Sequence, residues 1–380
     1  MAVVGFIPAR GGSKSIPMKN IKLMNGKPLI YWSALALQEC KEIDVFYVAT
    51  DSIEIREVVL NFGFDKLKVY NRSSETAQDT SSTESVMLEF IEKEDLQKED
   101  TFVLVQLTNP FIQANWISEA FIQYQSADSL LSASSSKRFF WNKKGEALNY
   151  DFNKRPRRQD FEGLLMENGA FYINSVANIQ NYKNRLSGKI AVYEMPEYTG
   201  YEIDEPDDWT IVEALLKAHV KNEPSFKFED YQLIATDVDG VLTDASMYYT
   251  ENGDELKKFC TYDGMAFQLF RDKGYKTAIL TAENTQLVER RAQKMKIDFL
   301  FQGAKDKLTL MQNLCDDLNI SLKQVIYIGD DINDKALLEA VGLAFKPANA
   351  QKEIMSLINV HLLSNKGGEG TIREIYNTLN

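Results

Sequence analysis

Two short stretches carry residue types suited to phosphate chemistry. The first, Arg10-Gly11-Gly12-Ser13-Lys14, follows the apolar run Val3–Pro8. Two glycines after a strand let backbone N–H groups approach phosphate oxygens closely, and Arg10, Lys14 and Lys19 could neutralise a triphosphate. The spacing matches neither the Walker pattern nor GxGxxG, so on these residues alone a tight turn with ordinary surface cations stays open. The second stretch, Asp237-Val238-Asp239-Gly240, closes the run Leu233–Thr236. Two carboxylates at this spacing can share one Mg²⁺ and divide labour. Asp237 would attack phosphorus to form an aspartyl-phosphate, and Asp239 would protonate the leaving alcohol and then activate water. Gly240 permits a sharp turn away from the strand. Asp-x-Asp-Gly alone also fits a calcium loop or a simple turn.

The chain that positions these residues has 380 of them, long enough for two or three domains. Hydrophobic residues make up 44% and charged residues 26%, the balance of a globular protein rather than a disordered or collagen-like one. Net charge is -12 without a long basic run, which argues against a broad nucleic-acid surface. Three dispersed cysteines, Cys40, Cys260 and Cys315, make neither a zinc motif nor a disulfide framework, and a reducing, cytoplasmic setting fits. No apolar run approaches the ~18 residues of a membrane span. With only two histidines, chemistry must lean on carboxylates, Lys, Arg and metal ions.

Short β-rich runs alternate with amphipathic stretches. Strands are expected over Val3–Pro8, Asp44–Thr50, Thr101–Gln106 and Leu130–Ala133, and again over Gln232–Asp237, Lys276–Thr281, Asp298–Phe301 and Val325–Ile328. Helical patterns between them imply an α/β fold, parallel sheets covered by helices on both faces. A helix over Trp209–His219 leads into the polar stretch Lys221-Asn222-Glu223-Pro224-Ser225, which places a boundary near residue 225 and gives domains of 1–224 and 225–380.

The full stretch Ile7–Ile21 resembles the signature of acylneuraminate cytidylyltransferases, the enzymes that make CMP-sialic acids, with Ser15 where the family usually has Gly. Further segments match in the family's order: Ala49-Thr50-Asp51-Ser52; Arg72 with Ala77, Asp79, Ser81 and Ser82; Leu104–Pro110; and Arg158-Gln159-Asp160 followed by Asn168-Gly169-Ala170. The resemblance spans roughly residues 1–220. It implies a nucleotidyltransferase fold and attack by the anomeric hydroxyl of a 2-keto sugar acid on the α-phosphate of CTP. Arg10, Gly11, Lys14, Lys19, Asn20, Arg72, Ser82, Gln106 and Arg158 are the implied nucleotide and sugar contacts, Lys19 with a catalytic role. Glu202 and Asp204 stand where the family holds Mg²⁺ with Asp-x-Asp, Glu202 replacing the first Asp. Asp207 and Asp208 read instead as acidic residues at a helix N-terminus. Phe139, Phe140 and Trp141 fall in a lobe through which family members dimerise.

The C-terminal half resembles the haloacid dehalogenase superfamily of phosphatases. Thr281 matches its second motif, Lys307 its third (Lys305 competing), and Asp330 in Gly329-Asp330-Asp331-Ile332-Asn333-Asp334 its fourth, with Asp331 or Asp334 in support. The implied metal ligands are Asp237, Asp239 and Asp330. The stretch Tyr248–Glu255 reads as a short hairpin in place of a cap domain. With Asp263-Gly264 and the segment Gly367–Glu374 it is similar to the small capless phosphatases of 3-deoxy-octulosonate 8-phosphate and sialic-type sugar-acid 9-phosphates, which assemble as tetramers. Asp263 and Arg373 are the implied substrate contacts. The expectation is a homo-oligomeric bifunctional enzyme that dephosphorylates a nine-carbon sugar-acid 9-phosphate and transfers CMP to the product. Two alternatives stand beside it: a C-terminal half used only for oligomerisation, and an octulosonate-pathway enzyme.

Overall fold

The computed structural model describes residues 1–220, 227–357 and 359–379. The chain divides into two compact units, Met1–Asn222 and Glu223–Asn380. The expected linker over Lys221–Ser225, and with it the boundary near residue 225, lies outside the described residues.

The first unit is built on a seven-stranded sheet. Its strands are β1 (Val3–Pro8), β2 (Val45–Thr50), β3 (Leu67–Asn71), β4 (Thr101–Val105), β5 (Ser129–Ser136), β6 (Leu164–Ser175) and β7 (Ile190–Met195). Their order is β3-β2-β1-β4-β6-β5-β7. β1 pairs in parallel with β2 and β4, while β6 runs antiparallel to both β4 and β5. Strands covered on both faces need near-continuous apolar runs, and Val4, Phe6 and Ile7 of β1 are buried accordingly. The ring of Phe6 packs 4.7 Å from Phe90 and 5.3 Å from Phe102, tying the sheet to a helix above it. Helices α1 (Leu29–Glu39), α2 (Ile53–Leu60), α3 (Thr83–Lys93), α4 (Ala114–Tyr124), α5 (Val176–Tyr182) and α6 (Pro206–His219) complete the unit. Side chains fix several of their starts: Ser52 accepts the Ile55 N–H and Ser82 the Ser85 N–H, each at 3.2 Å. Asp208 accepts the Asp204 and Glu205 amides at the head of α6, the cap its sequence suggests.

The second unit has a six-stranded parallel sheet: β8 (Leu233–Thr236), β11 (Lys276–Leu280), β12 (Phe299–Phe301), β13 (Val325–Ile328), β14 (Leu343–Lys346) and β15 (His361–Leu362), in the order β12-β11-β8-β13-β14-β15. Between β8 and β11 lies the expected hairpin, β9 (Tyr248–Tyr249) with β10 (Glu255–Leu256). Helices α7 (Thr261–Asp272), α8 (Gln286–Met295), α9 (Lys307–Leu318), α10 (Lys335–Ala340), α11 (Lys352–Met355) and α12 (Thr371–Thr378) cover it. One core cluster joins Phe267 and Phe270 to Ile372 and Ile375, and another joins Met311 and Leu314 to Tyr327 and Leu337. Among the described residues no helix is long and apolar enough to cross a membrane.

Candidate active sites

In open α/β sheets, ligands bind beyond the carboxyl ends of the parallel strands. In the first unit the loops leaving β1, β3 and β4 line a cleft there of about 280 Å³, with Arg10, Lys19, Asn20, Arg72, Ser82 and Gln106 in its walls. The loop after β1 lies close against the start of α2. The Gly11 N–H donates to Asp51 Oδ1 at 2.9 Å, and a Cβ on Gly11 would sit 2.9 Å from that of Ser52. Buried Asn20 holds the loop's shape by donating to the Arg10 carbonyl at 2.9 Å. Lys19 Nζ donates to the Ile203 carbonyl at 2.8 Å, joining this loop to the acidic segment Glu202–Asp204. Burial lowers the Lys19 pKa, and the Asp204 charge works against that shift. Glu202 is pushed upward by burial although the Thr108 hydroxyl donates to it at 3.1 Å. Arg72 is buried, and burial lowers its pKa. Its guanidinium donates to the Thr76 carbonyl, yet its Nε has no partner. A buried cation with an unused donor at a cleft suits an anionic ligand.

In the second unit the carboxylates of Asp237, Asp330 and Asp334 come within 4.8 Å of one another, all buried. Asp237 directly follows β8, Asp330 follows β13, and Lys307 opens α9 with its Nζ 2.7 Å from Asp237 Oδ2 and 2.6 Å from Asp334 Oδ1. Asp334 is saturated, also accepting from the Tyr327 hydroxyl at 2.5 Å and the Asp330 and Asp331 amides at 3.0 and 3.2 Å. Asp330 Oδ1, by contrast, is buried without a partner. Burial and then the neighbouring carboxylates push Asp237 up to about 7 and Asp330 up to about 8. Burial alone would lower Lys307, but Asp237 and Asp334 outweigh it and raise the ammonium's pKa. Three carboxylates against one ammonium leave negative charge uncompensated in a buried site. A hard divalent cation at Asp237 and the orphan Asp330 oxygen fits that surplus. Gly240, at φ 84, is required here because a Cβ would collide with the Asp330 carboxylate. Thr281 is buried at the end of β11, the strand beside β8.

Several expected residues do other work. Asp239, expected as a metal ligand, is not among the three converging carboxylates; Lys257 Nζ grips both its oxygens at 2.8 Å, and Asp334 is the third carboxylate of the cluster. Asp263, expected to touch substrate, is buried and caps α12, its Oδ1 accepting the Ile372 and Arg373 amides at 2.9 and 3.3 Å. The Arg373 side chain turns to Asn377 at 3.2 Å. The Gly11 amide is committed to Asp51, and Lys14 pairs with Asp79 at 2.7 Å, as does Arg10. Arg158 is exposed, paired with Glu197 at 2.8 Å and not among the residues that line the cleft. Glu202 and Asp204 belong to no cluster of three carboxylates among the described residues, so a metal there would need ligands from the nucleotide itself. Sequence reasoning missed Lys257, which sits in no motif, and Glu89, whose carboxylate gathers Tyr70, Ser73 and Thr76 around the turn that holds Arg72.

Residues 4–234 match the cytidylyltransferase family model, and residues 292–375 match that of haloacid dehalogenase-like hydrolases. The N-acylneuraminate cytidylyltransferase A of Danio rerio is 32% identical, covering 98% of this chain and 87% of its own length. A 3-deoxy-D-manno-octulosonate 8-phosphate phosphatase of Haemophilus influenzae is 33% identical, over 39% of this chain and 82% of its own. The crystal structure of the Moraxella catarrhalis enzyme of that name, in complex with magnesium ion, phosphate ion and KDO, is 32% identical and covers 40% of this chain and 87% of that one, with a TM-score of 0.39. With a family model over more than half its length and a relative matched almost end to end, the chain belongs to the N-acylneuraminate cytidylyltransferase family and carries a haloacid dehalogenase-like phosphatase domain in its C-terminal part.

Proposed function

We propose that this enzyme performs two consecutive reactions on one sugar acid: removal of phosphate from a nine-carbon 2-keto sugar-acid 9-phosphate, then transfer of CMP from CTP to the freed acid. The observation that carries the reading is the presence in one chain of a cation-lined cleft and a buried carboxylate–lysine cluster. Divalent cations, Mg²⁺ in this reading, would be held by Asp237 and Asp330 in one unit and by Glu202 and Asp204 with the nucleotide in the other, and would neutralise phosphate oxygens.

In the phosphatase site Asp237 attacks phosphorus, the bond from phosphorus to the sugar oxygen breaks, and that oxygen takes a proton from Asp239. Water then attacks the aspartyl-phosphate, giving its proton to Asp239 and releasing phosphate. Lys307 holds Asp237 in place and offsets charge on the transferred group, while the Thr281 hydroxyl binds a phosphoryl oxygen. In the transferase cleft Arg10, Lys19 and Arg72 take the triphosphate, and Ser82, Asn20 and Gln106 read ribose and base. The sugar's anomeric oxygen bonds to the α-phosphorus as pyrophosphate leaves. This is mostly positioning and charge stabilisation. Exposed Phe140 and Trp141 support a homo-oligomer, and an oligomeric lobe there is part of the reading.

Mass spectrometry after incubation with CTP, Mg²⁺ and a nine-carbon sugar-acid 9-phosphate tests it. Free sugar and its CMP conjugate are expected. Turnover of 3-deoxy-octulosonate 8-phosphate alone would favour the octulosonate reading, which the name of the Haemophilus influenzae relative supports for the phosphatase unit.

A further inference from the structure

Lys257 lies just beyond β10, at the root of the hairpin, and its side chain is 0% exposed. Its Nζ donates to Asp239 Oδ1 and Oδ2, each at 2.8 Å, and to Glu283 Oε2, with Glu255 Oε1 3.9 Å away. Asp239 follows β8 and Glu283 follows β11, so one enclosed ammonium ties together two loops at the carboxyl edge of the sheet. An exposed ion pair of this kind contributes little. An enclosed one differs, because removing its cation leaves Asp239 and Glu283 without their shared counter-charge. The grip on both oxygens also fixes the carboxylate's orientation. A proton donor works only when held within about half an ångström of its productive position.

We propose that Lys257 is a positioning residue for phosphate-ester cleavage, its ammonium holding the Asp239 carboxyl where the leaving oxygen departs. The inference rests on the reading of Asp239 as the proton donor. When Asp239 carries its proton, one oxygen still accepts from Lys257 and Glu283 keeps the ammonium in place. The Asp237–phosphorus bond forms as the phosphorus–oxygen ester bond breaks, and the proton passes from Asp239 to the leaving oxygen. An alkoxide cannot depart without that proton, whereas p-nitrophenolate leaves as a stable anion. The contribution of Lys257 is therefore specific to poor leaving groups.

The test compares benzyl phosphate with p-nitrophenyl phosphate in the full chain with Mg²⁺, for wild type, Lys257→Met, Lys257→Arg and Asp239→Asn. The readout is the ratio of kcat/KM for the two esters, which within one preparation does not depend on the fraction folded. General acids contribute about 10²–10⁴-fold, so Lys257→Met is expected to lower the benzyl to p-nitrophenyl ratio on the order of 10²-fold. Lys257→Arg should restore most of it, and Asp239→Asn should lower it at least as far. An unchanged ratio in Lys257→Met overturns the inference and leaves the phosphatase reading standing. An unchanged ratio in Asp239→Asn, or a wild type that cleaves only the p-nitrophenyl ester, removes Asp239 as acid and the inference with it. A wild type that releases phosphate from neither ester nor from the sugar-acid 9-phosphate overturns the phosphatase reading and this inference together.

Discussion

Asp330 concentrates the electrostatics of the phosphatase site in one side chain. Its Oδ1 is buried without a partner, and burial together with Asp237 and Asp334 pushes its carboxyl up to about 8. Asp237 is raised in the same way, to about 7. Both groups bind protons more tightly folded than unfolded, where a carboxyl titrates near 4. Their contribution to stability is thus present at pH 4 and is lost as pH climbs through about 7 to 8. A divalent cation competes with those protons and removes the repulsion that replaces them. Mg²⁺ is therefore expected to raise the melting temperature of the C-terminal unit at pH 8, by ~5–10 °C at a hundredfold excess over Kd, and far less at pH 5.5. The shift should vanish in Asp330→Asn; scanning calorimetry with and without Mg²⁺ decides, and an unaltered shift would remove Asp330 as a ligand. Asp237, Lys307 and Asp330 were readable because their motifs fix residue types at fixed offsets from strand ends. Lys257 and Glu89 were not, since their partners are distant in sequence: Lys257 meets Asp239 and Glu283 across 18 and 26 residues.

Among the elements, the strands that sequence made legible are the buried parallel ones, whose apolar runs carry a strong pattern. The antiparallel strand β6 was missed: its first four residues are exposed and the next seven are buried, so neither alternation nor a continuous apolar run marks it. Strand β14 is short and carries the buried Lys346, which breaks its apolar pattern. Two elements also invite tests. Asp263 of α7 caps α12, and burial pushes its carboxyl up to about 6, so its stabilising contribution is present at pH 4 and lost as pH rises through 6. At pH 8 Asp263→Asn keeps the acceptor without the charge and is expected to be at least as stable as wild type. Asp263→Ala should lose ~1–2 kcal/mol by denaturant titration. A stable Asp263→Asn without phosphatase activity would return Asp263 to the substrate contacts. On α3, Glu89 holds the turn on which Arg72 rests, its carboxylate kept ionised against burial by Ser73, Thr76 and Tyr70. Glu89→Ala releases that turn. Steady-state kinetics should show KM for CTP rising about tenfold, the equivalent of ~1.4 kcal/mol, with a smaller change in kcat.

On the scale of the whole molecule, the two constellations draw on separate parts of the chain. The nucleotide cleft uses residues from Pro8 to Thr108 with the Glu202–Asp204 segment, and the carboxylate cluster uses residues from Asp237 to Asp334. Each lies within one compact unit with its own apolar clusters. Substitutions that share no partner are expected to act additively, so the two activities should be separable in the intact chain. Asp237→Asn removes the nucleophile and should abolish phosphate release while CMP transfer to unphosphorylated sugar acid proceeds at the wild-type rate. Arg72→Ala should do the reverse, since it strips the cleft of its buried cation and belongs to the other unit. Supplied with the 9-phosphate and CTP, Asp237→Asn should make no conjugate and Arg72→Ala should stop at free sugar. An equimolar mixture of the two variants should restore the conjugate, because the free acid can diffuse from one protein to the other. Product analysis of that mixture distinguishes the cases: full recovery means two independent sites in sequence, whereas a folded Asp237→Asn that has also lost CMP transfer would mean that the transferase depends on the phosphatase unit for more than its substrate.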